Sequence, residues 1–121
     1  AILQAQEVLE VQAQLEVDAI VTFLENAKLH ALAYTPKEAC GIVVNDIYYP
    51  CKNISDTPEA NFAIHPKDYL KVRSKGIFQY IVHSHPEGGD ASEPDKKACK
   101  ASKIPWYVYL IPQDEWQIIN P

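Results

Sequence analysis

Residues 77 to 83, running from Ile77 through Phe78, Tyr80, Ile81 and Val82 to His83, set the tightest limit on the architecture. So short and so apolar a run predicts a strand, and its apolar surface predicts a central place in a sheet with other elements laid against it. Neither this run nor the unbroken apolar run Trp106 to Ile111 approaches the roughly 20 apolar residues a membrane helix needs. The chain of 121 residues, 47% of them apolar, is long enough to supply the cover. A domain of this size buries about two-thirds of its surface on folding and requires no disulfide or metal to do so. Cys40, Cys51 and Cys99 are an odd number without a C-x-x-C pair, which predicts free thiols in a reducing compartment, the cytoplasm.

The rest of the chain divides around that strand. Asp18 is placed to cap a helix whose apolar residues Ile20, Phe23, Leu24, Ala27 and Ala31 recur at three and four, with Thr35-Pro36 as its end. Gly41 to Val44 and Ile47 to Cys51 read as a hairpin turned by Asn45-Asp46. Residues 53 to 65 read as a long loop. Pro66 opens a helix that runs to about Lys75 and closes at Gly76. After the apolar strand and a loop carrying Gly88-Gly89, Ser92 to Asp95 opens a helix to about Ser102, and strands follow at Trp106 to Ile111 and Trp116 to Ile119. Helices and strands intermixed around one sheet define an α/β (α+β) class in a single domain, residues 18–121. Residues 1–17 are an N-terminal arm or an added segment, with the choice left open: the alternation Val11, Ala13, Leu15, Val17 favours a strand, and the Ala, Gln, Glu and Leu content favours a helix. The first base is Lys28, so no positively charged signal peptide is expected, and a start at Ala1 without Met predicts a piece of a longer protein.

Charge excludes one class of partner. The net charge is −5, and five acids, Glu7, Glu10, Glu16, Asp18 and Glu25, precede the first base. From Lys28 onward acids and bases balance, leaving no basic stripe for a phosphate backbone, so nucleic acid is not an expected partner.

The chemistry lies in His83-Ser84-His85-Pro86, followed by Ser92 and Asp95. Alternate residues of a strand share a face, so His83 and His85 point the same way at the strand's end. Asp95 falls in the first turn of the next helix, where the macrodipole favours a carboxylate. Two imidazoles, one carboxylate and an open position make a catalytic zinc site. Taken alone, each part has a plainer meaning: H-x-H pairs recur on surface strands, and a serine three residues before an acid is an ordinary helix cap.

Together with Glu38 in Pro36 to Gly41, the set resembles the JAMM (MPN-plus) zinc metallopeptidases, whose pattern is an upstream glutamate, H-x-H-P, a loop and S-x-x-D. The resemblance is closest to the N-terminal domain of lambda K-type phage tail assembly proteins. It is carried further by Tyr48 to Asn53, by Phe62 to Tyr69 and by Pro105-Trp106, over about residues 18 to 119. It implies an MPN/JAB-like fold, a mixed central sheet flanked by helices, with Zn2+ on His83, His85 and Asp95. Glu38 would pass a proton from the attacking water to the leaving amine, and Ser92 would donate a hydrogen bond to the oxyanion. Spacing alone leaves Glu87, Asp90 and Glu93 as alternatives to Glu38. The stretch from Pro86 to Ala91 is one residue shorter than the family's usual loop, a difference that Gly88-Gly89 is expected to absorb.

The resemblance implies a hydrolase of peptide or isopeptide bonds in a phage tail-tip assembly protein made in the host cytoplasm. The expected partners are a peptide or protein substrate, tail proteins and a C-terminal NlpC-type peptidase domain. Two other readings stand beside it: a cellular JAMM peptidase that trims a ubiquitin-like or sulfur-carrier protein, and a zinc-binding tail-assembly module without turnover. A zinc deaminase is excluded, since His85-Pro86-Glu87 lacks its P-C-x-x-C partner. Cys40 or Cys99 as a hydrolytic nucleophile lacks any local signature. His30 and His65 are expected outside the site, and the aromatic strand from Trp106 to Tyr109 is expected in the core and at the sheet edge.

Overall fold

The computed structural model describes residues 5–121, except the side chains of Ala19 and Val21. In chain order its elements are α1 (Ala5–Tyr34), β1 (Cys40–Val44), β2 (Ile47–Cys51), α2 (Pro66–Arg73), β3 (Tyr80–His85), α3 (Glu93–Ser102), β4 (Trp106–Leu110) and β5 (Glu115–Ile119). The five strands form one mixed sheet in the order β2-β1-β3-β4-β5, with the apolar strand β3 at its centre as its composition requires. β3 and β4 run parallel and are joined through α3; the other pairings are antiparallel.

Period-two alternation sends each strand's residues to two different layers. On one face Val43, Tyr48 and Val82 pack with Phe23 and Ala27 of α1, and Tyr109 packs with Ala31. On the other, Cys40, Ile42 and Val44 meet Val72 of α2, while Val108 and Leu110 meet Cys99 of α3. The sheet is thus sandwiched between α1 and the pair α2 and α3, and the two histidines of β3 lie on the α2–α3 side.

Local signals place most boundaries. Asn45 (φ 51°) and Asp46 (φ 63°) make the left-handed pair that a tight hairpin needs, and both are residues that tolerate it. Pro66 occupies the first turn of α2, which His65 caps by accepting from the Lys67 N–H. A reciprocal capping box between Ser92 and Asp95 opens α3.

Two expectations need correction. α1 does not start at an Asp18 cap: it begins at Ala5 and passes through Asp18, whose carboxylate accepts from Gln14 one turn earlier. The arm is therefore helical in its described part, helix propensity prevailing over the short alternating pattern; residues 1–4 of the arm lie outside the described residues. β3 begins at Tyr80 and not at Ile77, because β1 ends at Val44 and its register with β3 reaches only from Cys40–His83 to Val43–Tyr80. Ile77 lies outside the sheet and is 89% exposed. The chain exposes 7783 Å² in total, above the roughly 6,600 Å² that size scaling gives for its mass, as fits a helix whose first turns pack on nothing. No helix among the described residues is long and apolar enough to cross a membrane.

Candidate metal centre

The site forms where β3 ends and α3 begins. His83 Nε2 lies 3.2 Å from His85 Nε2 and 3.2 Å from Asp95 Oδ2, and His85 Nε2 lies 3.1 Å from the same Asp95 oxygen. Four donors about 2.0 Å from a zinc ion at tetrahedral angles stand about 3.3 Å apart. The three observed separations match three edges of that figure.

The tautomer of His85 agrees. Its Nδ1 lies 2.8 Å from the Gly89 carbonyl, an acceptor only, so Nδ1 carries a proton, and in the neutral ring this leaves the Nε2 lone pair facing the cluster. That carbonyl is positioned by Gly88 (φ 79°) and Gly89 (φ 85°), left-handed conformations that other residues rarely adopt. The Gly88-Gly89 loop thus orients a histidine. His83 is 1% exposed and is fixed by packing, stacked on Phe62 at 4.5 Å and met edge-on by Trp106. Its buried Nδ1 has no hydrogen-bond partner among the described residues.

Glu38 reaches the same place from another strand. The β1–β3 ladder pairs Cys40 with His83, and beyond it Ser84 N–H donates to the Ala39 carbonyl while Ala39 N–H donates to Ser84 Oγ. Continued by one residue, that register sets Glu38 opposite His85. A Glu38 carboxylate oxygen and the two imidazole nitrogens lie within 4.8 Å of one another. Two overlapping triads therefore exist, Glu38–His83–His85, within 4.8 Å, and His83–His85–Asp95, whose 3.1 to 3.2 Å separations are tetrahedral. Asn53 holds the Glu38 backbone: its Nδ2 donates to the carbonyls of Glu38 and Asn61, and its Oδ1 accepts from Ser55 and Ala63 N–H.

The electrostatics separate the carboxylates. Burial pushes the Glu38 carboxyl up to about 7, with His85 pulling it down and Asp95 adding to the rise. Burial alone would raise Asp95 as well, but hydrogen bonds with His83 and His85 outweigh it and hold that carboxyl well below the usual range. Asp95 raises His85 chiefly through their hydrogen bond, whereas burial lowers His83. A cleft of about 290 Å³ opens onto the group, lined by Glu38, His85, Ser92 and Asp95 and by Glu59, Glu87 and Asp90. Ser92 Oγ accepts from Asp95 N–H, which leaves its own hydrogen free to donate.

The structure thus brings together all five residues singled out in the sequence: Glu38, His83, His85, Ser92 and Asp95. It leaves Glu93 outside the cleft lining and places Glu87 and Asp90 on the cleft wall. His30 pairs with the Tyr48 hydroxyl at 2.6 Å, and His65 caps α2. Cys40, Cys51 and Cys99 are buried free thiols, and burial pushes Cys40 and Cys51 up to about 12, far from nucleophilic use. Sequence reasoning gave no role to Phe62, Asn53 or Gly89. Asn53 and Phe62 lay in segments that carry the family resemblance, and Gly89 was visible as half of a Gly-Gly pair.

A buried H-x-H pair on a central strand, a capped helix start and a glutamate one strand away define a JAB-type domain. The profile described as prokaryotic homologs of the JAB domain matches residues 22–119, and the chain belongs to that family. Tail tip assembly protein K of Escherichia phage N15 is 37% identical over 97 residues, covering 76% of this chain and 40% of that protein. The chain thus spans about two-fifths of the length of that relative. Protein DSY2949 from Desulfitobacterium hafniense, a solution structure, shares the fold with a TM-score of 0.63 at 22% identity, over 80% of this chain and 77% of that one. A JAB/MPN-type domain near phage tail assembly proteins, with a five-stranded mixed sheet flanked by helices, is what the sequence motifs implied.

Proposed function

We propose that residues 18–121 form a zinc-dependent hydrolase of peptide or isopeptide bonds, the N-terminal part of a phage tail-tip assembly protein, with residues 1–17 an appended arm. The observation that carries the reading is the set of 3.1 to 3.2 Å separations among His83 Nε2, His85 Nε2 and Asp95 Oδ2, with the Glu38 carboxylate beside them. His83, His85 and Asp95 are the zinc ligands in this reading. Zinc, when bound, supplies Lewis acidity to the scissile carbonyl and to the attacking water. Glu38 takes a proton from that water and delivers it to the leaving amine. A carboxyl raised to about 7 by burial before any metal binds is poised to hold and release a proton near neutral pH. Ser92 Oγ–H donates to the developing oxyanion at the mouth of the cleft.

The similarity to a tail tip assembly protein supports tail proteins as partners, and with them a place in the host cytoplasm or the virion tail. An NlpC-type peptidase domain following this one belongs to the same reading.

The test is cleavage of a mixed peptide library, read by mass spectrometry, with zinc-loaded protein, chelator-treated protein and chelated protein given zinc again. New termini are expected in the first and third samples only. Undiminished cleavage after chelation would remove the zinc dependence, and absence of cleavage by the fully zinc-loaded protein would remove the hydrolase assignment; the latter outcome favours an assembly module without turnover.

A further inference from the structure

α1 extends well beyond the sheet it covers. The first buried side chain among those described is Phe23, and every described side chain from Ala5 to Asp18 is exposed, among them Val8, Leu9, Val11, Leu15 and Val17. Residues 5 to 20 would span about 24 Å as a helix. Alone, a segment of this length is marginal in water, so an apolar stripe such as Val8, Val11 and Leu15 (i, i+3, i+7) gains much from a covering surface. The stretch also holds Glu7, Glu10, Glu16 and Asp18 and no base. It precedes residue 22, where the match to the family begins.

The same molecule carries a groove of complementary character. A depression of about 550 Å³ is lined by Tyr69, Arg73, Ile77, Phe78, Ile81 and Ile104. No acid lines it, and exposed Lys75 and Lys103 adjoin its lining residues Gly76, Ser102 and Ile104. The groove lies near the start of β3, on the face opposite α1. Phe23 packs on Tyr80 and Tyr107, near the same end of the sheet, so the arm leaves the domain there. Because α1 is one continuous helix, the arm points away and does not fold back into its own groove.

We infer that the arm of one molecule docks in this groove of a second copy. The apolar stripe would cover Ile77 and Phe78, and the arm's carboxylates would face Arg73, Lys75 and Lys103. Pairing of two arms with each other is disfavoured, since it brings eight acids of one sign together. Each copy offers both an arm and a groove, so two copies can exchange arms and close.

Sedimentation velocity on the full chain tests this, using Leu15→Asp in the arm and Ile77→Glu in the groove. Both positions are exposed, and thermal melts confirm that each variant folds. The full chain is expected to self-associate at micromolar concentration, more weakly at high salt, and each variant alone should lose at least about tenfold in affinity. A mixture of the two variants should pair, because one supplies an intact groove and the other an intact arm. A monomeric full chain overturns the inference. So does an arm variant that dissociates while the groove variant does not, which would assign the arm to another arm, and so does a mixture that fails to pair.

Discussion

The two ends of β3 invert the usual rule of burial in opposite directions. At its C-terminal end polar side chains are inside: His83 and Ser84 are almost fully buried, and Glu38 is 5% exposed. At the other end apolar side chains are outside, with Ile77 almost wholly in water and Phe78 half covered. The inversions differ in cost. A buried polar group must be partnered or it destabilises the fold by kilocalories, so the first end is held by a web of hydrogen bonds through Ser84, Asn53, Gly89 and the capping box. An exposed isoleucine costs the monomer little and is free to serve a partner. Substitution should therefore damage one end and be tolerated at the other.

The largest effect is expected at Glu38. Glu38→Gln keeps shape and hydrogen bonding but cannot take up the water's proton, so it should keep its zinc and lose peptidase activity by roughly 100- to 10,000-fold. Loss of zinc in this variant would make Glu38 a ligand and favour the Glu38–His83–His85 triad; full activity would move the base to Glu87 or Asp90 on the cleft wall. Next in size is Ser92→Ala. If Ser92 only caps α3, the change costs about 0.5 to 2 kcal/mol of stability and spares turnover per folded molecule. As an oxyanion donor it should also account for roughly a hundredfold in turnover at saturating substrate, and melts with kinetics on one preparation separate the two.

Asn53→Ala removes an amide that holds Glu38 and the loop after it. The Ser55 and Ala63 N–H groups and the Glu38 and Asn61 carbonyls lose this partner, so denaturant unfolding should show a loss of about 1 to 3 kcal/mol or more. The smallest effect belongs to the other end: Ile77→Glu, in protein dilute enough to be monomeric, should change stability by no more than about 0.5 kcal/mol. A loss as large as that of Asn53→Ala would erase the contrast between the ends.

Much of this was legible in the chain. The hairpin at Asn45-Asp46, Pro66 at the start of α2 and the Ser92 cap are local devices, set by the conformational limits of a few residues, and all appear where expected. The shared face of His83 and His85 follows from strand period alone. What was not legible depends on pairing across the sheet. Glu38 meets His85 only through the antiparallel register of β1 with β3, and no spacing along the chain encodes it. The same register cuts β3 off at Tyr80, so apolar Ile77 falls outside the strand. Asp18 resembles a helix cap, but a helix started earlier by good helix formers runs straight through it.

The central claim is that His83, His85 and Asp95 hold one metal ion, and metal content tests it most directly. Elemental analysis of protein purified without chelator should find about one zinc per chain, and almost none in His83→Ala or Asp95→Ala that remain folded. Equal zinc in the wild type and in both variants, or none in the wild type even after zinc is supplied, would contradict it.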